Sequence, residues 1–156
     1  KKMIMSRAEH ARVLEKMERL KADDAVATAE LADTTNNGAE TWHDNAGFDA
    51  AKDKKNLAEL MMAKLSYFTE FGEIVDPDGR TVEVGTCVRY SNEDSGEETE
   101  ICIAGDAAWL MSGEWASHQA PLAMLLLGAK EDEQRVGIIG PHEVTLRVIS
   151  IRALQG

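Results

Sequence analysis

Apolar side chains recur every three or four positions through the first part of the chain, which is the spacing of an amphipathic helix. Leu14, Met17 and Leu20 form one such row. Ser6 and Glu9 precede this row in a capping-box pattern, in which the two side chains bind backbone amides that a first helical turn leaves unpaired. The pattern therefore predicts a helix that begins immediately after Ser6.

A second apolar row follows a polar segment. Residues 33–38 read Asp-Thr-Thr-Asn-Asn-Gly, and such residues favour a chain reversal because they hydrogen-bond their own backbone and tolerate left-handed geometry. The next helix is predicted from residue 44 or 45 to Thr69, and its apolar row comprises Ala51, Leu57, Ala58, Met61, Met62, Leu65 and Phe68. Two such helices in succession predict an antiparallel coiled-coil hairpin that presents residues 33–44 at its far end.

The pattern changes near residue 71, after which glycine becomes frequent and Val, Ile and Thr dominate. Three strands are predicted, over residues 81–90, 98–104 and 144–151. A short helix is predicted to begin at Pro121 and to end at Gly128. The sequence thus predicts an α+β protein of two units, a helical coiled-coil hairpin over residues 1–70 and an antiparallel sheet domain over residues 71–156.

The polar turn between the first two strands sets their register. A turn centred between Asp94 and Ser95 fixes which residues face each other. The predicted pairs are Val88 with Ile101 and Thr86 with Ile103 on one face, and Arg89 with Glu100 and Cys87 with Cys102 on the other. Two cysteines are too few for a disulfide scaffold, so we expect free thiols, although this register allows a bond between them.

Charge and hydropathy limit the classes of function. The chain carries 17 basic and 28 acidic side chains, a net charge of −11, which argues against a protein whose main task is to bind bare nucleic-acid phosphate. Its apolar runs fall far short of the roughly 18 residues that a membrane span requires, and its first five residues lack the apolar core of a signal peptide. We therefore expect a cytoplasmic protein with no membrane partner.

Three short motifs occur in order along the chain. Residues 44–52 read Asp-Asn-Ala-Gly-Phe-Asp-Ala-Ala-Lys, residues 103–106 read Ile-Ala-Gly-Asp, and residues 120–123 read Ala-Pro-Leu-Ala. In order and spacing they resemble the bacterial Gre family of transcript-cleavage factors. Members of that family typically carry an acidic residue before Asn-Ala-x-[Tyr/Phe]-x-Ala-Ala-[Lys/Arg], then Ile-Val-Gly-[Pro/Asp] and Ser-Pro-[Leu/Ile]-[Gly/Ala]. The resemblance extends over nearly the whole chain.

The resemblance implies a partner, bacterial RNA polymerase. It implies that the helical hairpin enters the secondary channel of the polymerase, and that an FKBP-like C-terminal domain docks at the channel rim. The docking residues that it implies are Asp106, Ala120, Pro121 and Leu122. We expect a monomer that is not itself an enzyme.

The resemblance also implies a chemical role for acidic residues at the hairpin tip. They would help the polymerase to hold its second catalytic Mg²⁺ and an attacking water, so that backtracked RNA is hydrolysed. The protein would contact the 3′ end of the nascent RNA only indirectly. It would have no cofactor of its own, since it shares the Mg²⁺ of RNA polymerase.

The tip departs from the pattern of the cleaving members of the family. Those members carry Asp-x-x-Glu-Asn, whereas residues 41–45 here read Thr-Trp-His-Asp-Asn. One carboxylate is shortened and the other is missing. We predict that Asp44 is a tip acid and that Glu40, one position before the missing carboxylate, reaches round to act with it. A misplacement of about 1 Å can cost about a hundredfold in rate, so the rate of cleavage depends on how well Glu40 replaces the missing acid.

The other contact residues are predicted from their position near the tip. Trp42, His43 and Asn45 lie at the tip, and Lys52 and Lys55 follow it on the second helix. A large exposed aromatic residue is typical of a contact surface, and the alternative is that Trp42 packs against Phe48 and so closes the turn. The alternative for the two lysines is that they lie on a solvated helix face. For His43, the two interpretations are a metal ligand and a solvated turn residue.

Three functions follow from these observations. The first is stimulation of RNA cleavage by the polymerase, which rescues stalled elongation complexes. The second is occupation of the same channel without cleavage, which would regulate or inhibit transcription. The third, from another class, is a free-standing interaction module that binds a different partner through its helical arm.

Overall fold

The structure is a computed structural model that describes residues 2–37 and 46–154. The chain divides into two compact units. One unit comprises Lys1–Arg12 together with Phe71–Gly156, and we call it the sheet unit. The other comprises Val13–Glu70, and we call it the helical unit. Both helices and strands are present, so the predicted α+β class is confirmed.

Two long helices account for the helical unit. Helix α1 spans Arg7–Asn37 and helix α2 spans Ala46–Phe71. Helix α1 begins after Ser6, as the capping box predicts, but it continues through the polar segment in which a chain reversal was expected. Helix α2 lies within two residues of its predicted bounds at each end.

Burial within the helical unit confirms much of the two predicted apolar rows, since Leu65 and Phe68 are buried as predicted, but not Leu14 and Leu57. Leu20 and Ala58 are buried, and side chains of both helices line the same small cavities around them. Leu14 is 46% exposed, and Val13 is buried in its place. Val13 and Leu20 are seven residues apart, which is about two helical turns, so they share one face of α1. Leu57 is 66% exposed and lies at the edge of the α2 row.

In its described residues, the sheet unit contains seven strands, a 3-10 helix over Ala108–Leu110 and a short α-helix. In chain order the strands are β1 Met3–Met5, β2 Gly72–Ile74, β3 Thr86–Asn92, β4 Glu98–Ala104, β5 Trp115–Ser117, β6 Gln134–Ile139 and β7 His142–Ala153. Helix α3 spans Pro121–Leu126. Strands β1 and β2 form a parallel pair, and the other five form a sheet in the order β5-β4-β3-β7-β6.

The five-stranded sheet is mixed rather than antiparallel. Strand β3 lies antiparallel to both β4 and β7, and β6 lies antiparallel to β7. Strand β5 joins β4 in parallel, so the expectation of a purely antiparallel sheet is wrong at this edge. Strands β4 and β5 run in the same direction because the chain between them, residues 105–114, returns to the end of the sheet at which β4 began.

The predicted register of the β3–β4 hairpin is confirmed. Val88 faces Ile101, Arg89 faces Glu100, and Cys87 faces Cys102. The buried apolar cluster of the sheet unit comprises Val82, Val84, Val88, Tyr90, Ile101, Ile103, Ala123, Leu126, Ala129, Leu146 and Val148. Helix α3 therefore packs on the sheet through one face.

Cys87 and Cys102 are joined by a disulfide, so the expectation of free thiols is wrong. Both residues are buried. Counting cysteines gave no reason to expect the bond, whereas the strand register brings the two side chains together on the same face of neighbouring strands. The bond covalently joins β3 to β4.

Candidate functional site

The predicted docking residues lie in two places in the sheet unit, on the loop that follows β4 and at the start of helix α3 after β5. Strands β4 and β5 run in parallel with Ala104 opposite Ser117, so the loops that follow them leave the sheet at the same end. Asp106 lies on the first loop, and Ala120 lies on the second, at the start of α3. The structure thus brings Asp106 near the Ala120–Leu122 segment, as one site requires.

Asp106 is held by three hydrogen bonds. Its Oδ2 atom accepts a bond from the backbone amide of Ile4 at 2.7 Å, and its own amide donates to the Ile4 carbonyl at 2.7 Å. Its Oδ1 atom lies 3.1 Å from Nε2 of His118. Both carboxylate oxygens are therefore occupied within the protein. The geometry favours a role in which Asp106 fixes β1 and His118 rather than one in which it offers a free charge.

Glu9 binds the backbone of the loop that carries Asp106. Its carboxylate accepts hydrogen bonds from the amides of Gly105 at 2.6 Å and Ala107 at 3.0 Å. It also completes the predicted capping box, since it accepts from the Ser6 amide at 2.9 Å while the Ser6 hydroxyl accepts from the Glu9 amide at 3.2 Å. Glu9 is fully buried, and these amides supply the partners that a buried carboxylate requires.

Gly105 is required by the close approach of β1. A β-carbon at this position would collide with the carbonyl oxygen of Ile4, and it would lie 3.0 Å from Cα of Met5. These atoms belong to the backbone of a paired strand and cannot move aside cheaply. The Gly-Asp pair of the predicted motif thus acts as a unit, in which the glycine admits β1 and the aspartate binds it.

The Ala120–Leu122 segment begins α3 with an incomplete cap. Ala120 occupies the N-cap position in an extended conformation, and its side chain makes no capping hydrogen bond. Pro121 stands at the first helical position, where its missing N–H costs nothing. Pro121 is exposed, Leu122 is half-buried against the core, and Met124 is 63% exposed. The surface available to a partner here is therefore apolar.

An ion pair lies at the start of α1. Arg7 donates from Nε and Nη2 to the two carboxylate oxygens of Asp76, at 2.5 and 2.7 Å. The hydrogen bond from Arg7 lowers the pKa of Asp76 and raises the pKa of Arg7. Both side chains are more than half exposed, so solvent screening keeps the contribution of the pair to stability small.

The predicted tip residues lie outside the described residues. These are Glu40, Trp42, His43, Asp44 and Asn45. Lys52 and Lys55 lie on α2, where Lys52 is exposed and Lys55 is half-buried. Residues three apart on a helix are neighbours on its surface, so these two lysines form one local basic patch.

Within residues 2–37 and 46–154, no three His, Cys, Asp or Glu side chains come close enough together to hold a metal ion. No helix in these ranges is both long and apolar enough to span a bilayer.

Sequence reasoning missed two residues that hold the loop of Asp106. Glu9 appeared only as a cap, because its bonds to Gly105 and Ala107 join positions that are 96 and 98 residues apart. His118 was one of four scattered histidines, and no local spacing pointed to Asp106. The Asp106–His118 pairing arises from the parallel β4–β5 edge, and the Glu9 bonds arise where the start of α1 meets the loop after β4. Sequence periodicity reveals neither contact.

Comparison with known proteins places these features in a family. Residues 77–153 match the family model described as "Transcription elongation factor, GreA/GreB, C-term". The transcription elongation factor GreA of Nitratidesulfovibrio vulgaris (strain DP4) is 30% identical over 115 residues, covering 71% of this chain and 70% of that protein. GreA of Sulfurovum sp. (strain NBC37-1) is 27% identical over 128 residues, covering 80% and 78%.

A solved structure is also similar over nearly the whole length. It is that of GreA factor homolog 1 (Gfh1) of Thermus thermophilus, which is 20% identical with a TM-score of 0.47, covering 98% of this chain and 100% of that one. The family match covers the second and third motifs, at residues 103–106 and 120–123. This chain belongs to the GreA/GreB family of transcription elongation factors.

Proposed function

We propose that this protein binds bacterial RNA polymerase through the secondary channel and stimulates the polymerase to cleave backtracked RNA. Cleavage would return the RNA 3′ end to the active centre and rescue stalled elongation complexes. The observation that carries the proposal is membership of the GreA/GreB family together with Asp44-Asn45-Ala46 between two long helices. The protein would act on the nuclease activity of the polymerase and would not be an enzyme alone.

The lengths of the helices support a hairpin that reaches into a channel. Helices α1 and α2 contain 31 and 26 residues, which correspond to about 46 and 39 Å at about 1.5 Å per residue. Only residues 38–45 separate them. One cavity of the helical unit is lined by Lys16, Leu20 and Asp23 of α1 and, from α2, by residues that include Lys54, Ala58 and Met61. This shared lining is consistent with an antiparallel coiled coil.

The tip acids supply the chemistry in this proposal. Mg²⁺ retains several waters and binds through one or two added carboxylates, so a factor needs to bring only one or two acids to the polymerase. Asp44 would contribute one carboxylate, and Glu40 would contribute the other. The basic patch of Lys52 and Lys55 would contact the polymerase or the RNA next to the tip, as would Trp42, His43 and Asn45.

The sheet unit would dock at the rim of the channel as an FKBP-like domain. The apolar surface at Pro121 and Leu122 would form the contact. Asp106 would act as a positioning residue, because its carboxylate is already bonded to Ile4 and His118. Ala120 would set the direction in which α3 leaves the loop.

A second candidate function is channel occupation without cleavage. It is favoured by Thr41, which stands where cleaving members of the family carry an acid. With a single well-placed carboxylate, the protein would bind the polymerase and obstruct the channel while leaving the RNA intact. Its effect on transcription would then be inhibitory.

A transcript-cleavage assay separates these functions. A backtracked elongation complex with labelled RNA is incubated with Mg²⁺ and wild-type protein, Asp44→Ala, or the control Asp53→Ala, whose position on α2 is exposed. Shortened RNA with wild type and Asp53→Ala, but not with Asp44→Ala, would support cleavage stimulation. Binding with uncut RNA would support channel occupation. Absence of binding would contradict both and favour a module with another partner.

A further inference from the structure

The sheet unit contains a cavity that the proposed function does not use. Its volume is about 280 Å³, which lies just below the range of about 300–1,000 Å³ typical of small-molecule pockets. It is therefore sized for one side chain rather than for a nucleotide or a large cofactor. Five apolar residues from separate segments line it: Ile4, Val75, Pro77, Val84 and Leu127.

Three polar residues complete the lining, and two of them are already engaged. They are Asp76, Glu83 and His118. Asp76 is neutralised by Arg7, which bonds to both of its carboxylate oxygens. The Nε2 atom of His118 lies 3.1 Å from Oδ1 of Asp106, which fixes the orientation of the ring.

Glu83 is the third polar residue of the cavity lining. Its backbone is held on both sides by Thr86, whose hydroxyl accepts from the Glu83 amide at 3.1 Å and donates to the Glu83 carbonyl at 2.7 Å. Its carboxylate forms no hydrogen bond or ion pair with the residues that the structure describes. Glu83 is partly buried and Thr86 fixes its backbone, so its carboxylate belongs to a largely apolar lining and has no counter-ion among the described residues.

We propose that this cavity binds the side chain of an arginine or lysine presented by a partner protein. The aliphatic stem of such a side chain would lie on the apolar wall, and its cationic end would pair with Glu83. A purely apolar side chain would instead desolvate the Glu83 carboxylate without pairing it. An acidic side chain would be repelled by that carboxylate and by the net charge of −11.

The inference stands apart from the proposed function. It rests on the lining of one cavity and on one unpaired carboxylate, and it does not require the partner to be RNA polymerase. Binding of a small probe to the isolated protein tests it without any polymerase present. A failure of transcript cleavage would therefore not count against binding at this cavity. Likewise, a failure of the probes to bind would not count against the proposed function.

The test is an NMR titration of the full chain, labelled with ¹⁵N, with Nα-acetyl-arginine amide and separately with Nα-acetyl-lysine amide. The expected result is saturable shifts at residues around the cavity, including Ile4, Val84 and His118, with at least one probe. Glu83→Gln should weaken binding about fivefold, as expected for loss of a partly exposed ion pair. Nα-acetyl-norleucine amide has the stem without the charge and should bind more weakly.

A matched variant controls for the general loss of one negative charge. Glu143 is exposed on β7 in the same unit, and Glu143→Gln should leave the affinity unchanged. Spectra of both variants without probe would verify that the fold is retained. The inference would be overturned by the absence of saturable shifts, by equal affinity in Glu83→Gln, or by norleucine amide binding as tightly as the cationic probes.

Discussion

The carboxylate of Glu9 lies 2.6 Å from the amide of Gly105, although the two residues are 96 positions apart in the chain. The same side chain caps the start of α1 through Ser6. One buried residue thus serves both as a local helix cap and as the link between that cap and the loop that carries Asp106. The start of α1 belongs to the sheet unit for this reason.

Replacing Glu9 with alanine should destabilise the sheet unit. The amides of Ser6, Gly105 and Ala107 would lose a charged acceptor in a buried place, and we expect the free energy of unfolding to fall by about 3 kcal/mol. Urea denaturation followed by circular dichroism measures the change. Glu59→Ala, at an exposed position of α2, should change the stability by less than about 0.5 kcal/mol. Similar values for the two variants would refute the role of Glu9.

The Arg7–Asp76 pair predicts a pH dependence of definite sign. Because Arg7 lowers the pKa of Asp76 in the folded state, the stabilisation by the pair is complete above the unfolded-state pKa of about 3.9. It is lost as the pH falls through the lower, folded-state pKa. A ¹³C NMR titration of the Asp76 carboxyl should therefore show a midpoint below 3.9, which rises toward 3.9 in Arg7→Gln. An unchanged midpoint in that variant would contradict the assignment.

The disulfide predicts that stability depends on reductant. Cys87 and Cys102 are separated by 15 positions, and closing a loop of this length stabilises a fold by about 3 kcal/mol. Adding dithiothreitol should lower the free energy of unfolding by about this amount. The double variant Cys87→Ser and Cys102→Ser should not respond to the reductant. If air-oxidised protein that has been unfolded in denaturant without reductant reacted with two equivalents of a thiol reagent, the bond would be disproved.

The incomplete cap of α3 predicts a stabilising substitution. Ala120 has extended backbone angles suited to an N-cap but no side-chain oxygen. Ala120→Ser would supply an acceptor for the first free amides of the helix, and we expect a gain of about 1 kcal/mol in stability. Gln119→Ser adds the same hydroxyl one residue too early and should give no gain. Thermal unfolding of the two variants compares them directly, and a gain in both would exclude a capping effect.

The parts of the fold that could be predicted from the sequence are those with a local signal. The Ser6–Glu9 capping box marked the start of α1, and the polar turn at Asp94 and Ser95 fixed the β3–β4 register correctly. The apolar row that includes Leu20 could be predicted because helical periodicity is read over many residues, so one misassigned position does not change the prediction. Leu14, at the margin of that row, is such an exception.

The parts that could not be predicted depend on contacts between distant segments. Strands β1, β2 and β5 have three residues each, which is too short for an alternating pattern to be recognised. Strand β6 is an edge strand on which Val136 and Ile138 are exposed, so these two apolar residues do not indicate the core-facing side of the strand. The disulfide and the His118–Asp106 bond exist only once the strands are paired.

The central claim is that the segment between α1 and α2 reaches the active centre of RNA polymerase, and site-specific photo-crosslinking tests it most directly. A photo-reactive amino acid is introduced in place of Trp42 or, as a control, in place of Glu70 at the other end of α2, and each protein is irradiated with a backtracked elongation complex. We predict that the position-42 probe crosslinks to the catalytic region or to the RNA 3′ end, and that the position-70 probe does not. Crosslinks from position 42 only to the outer surface of the polymerase, or none, would contradict the account.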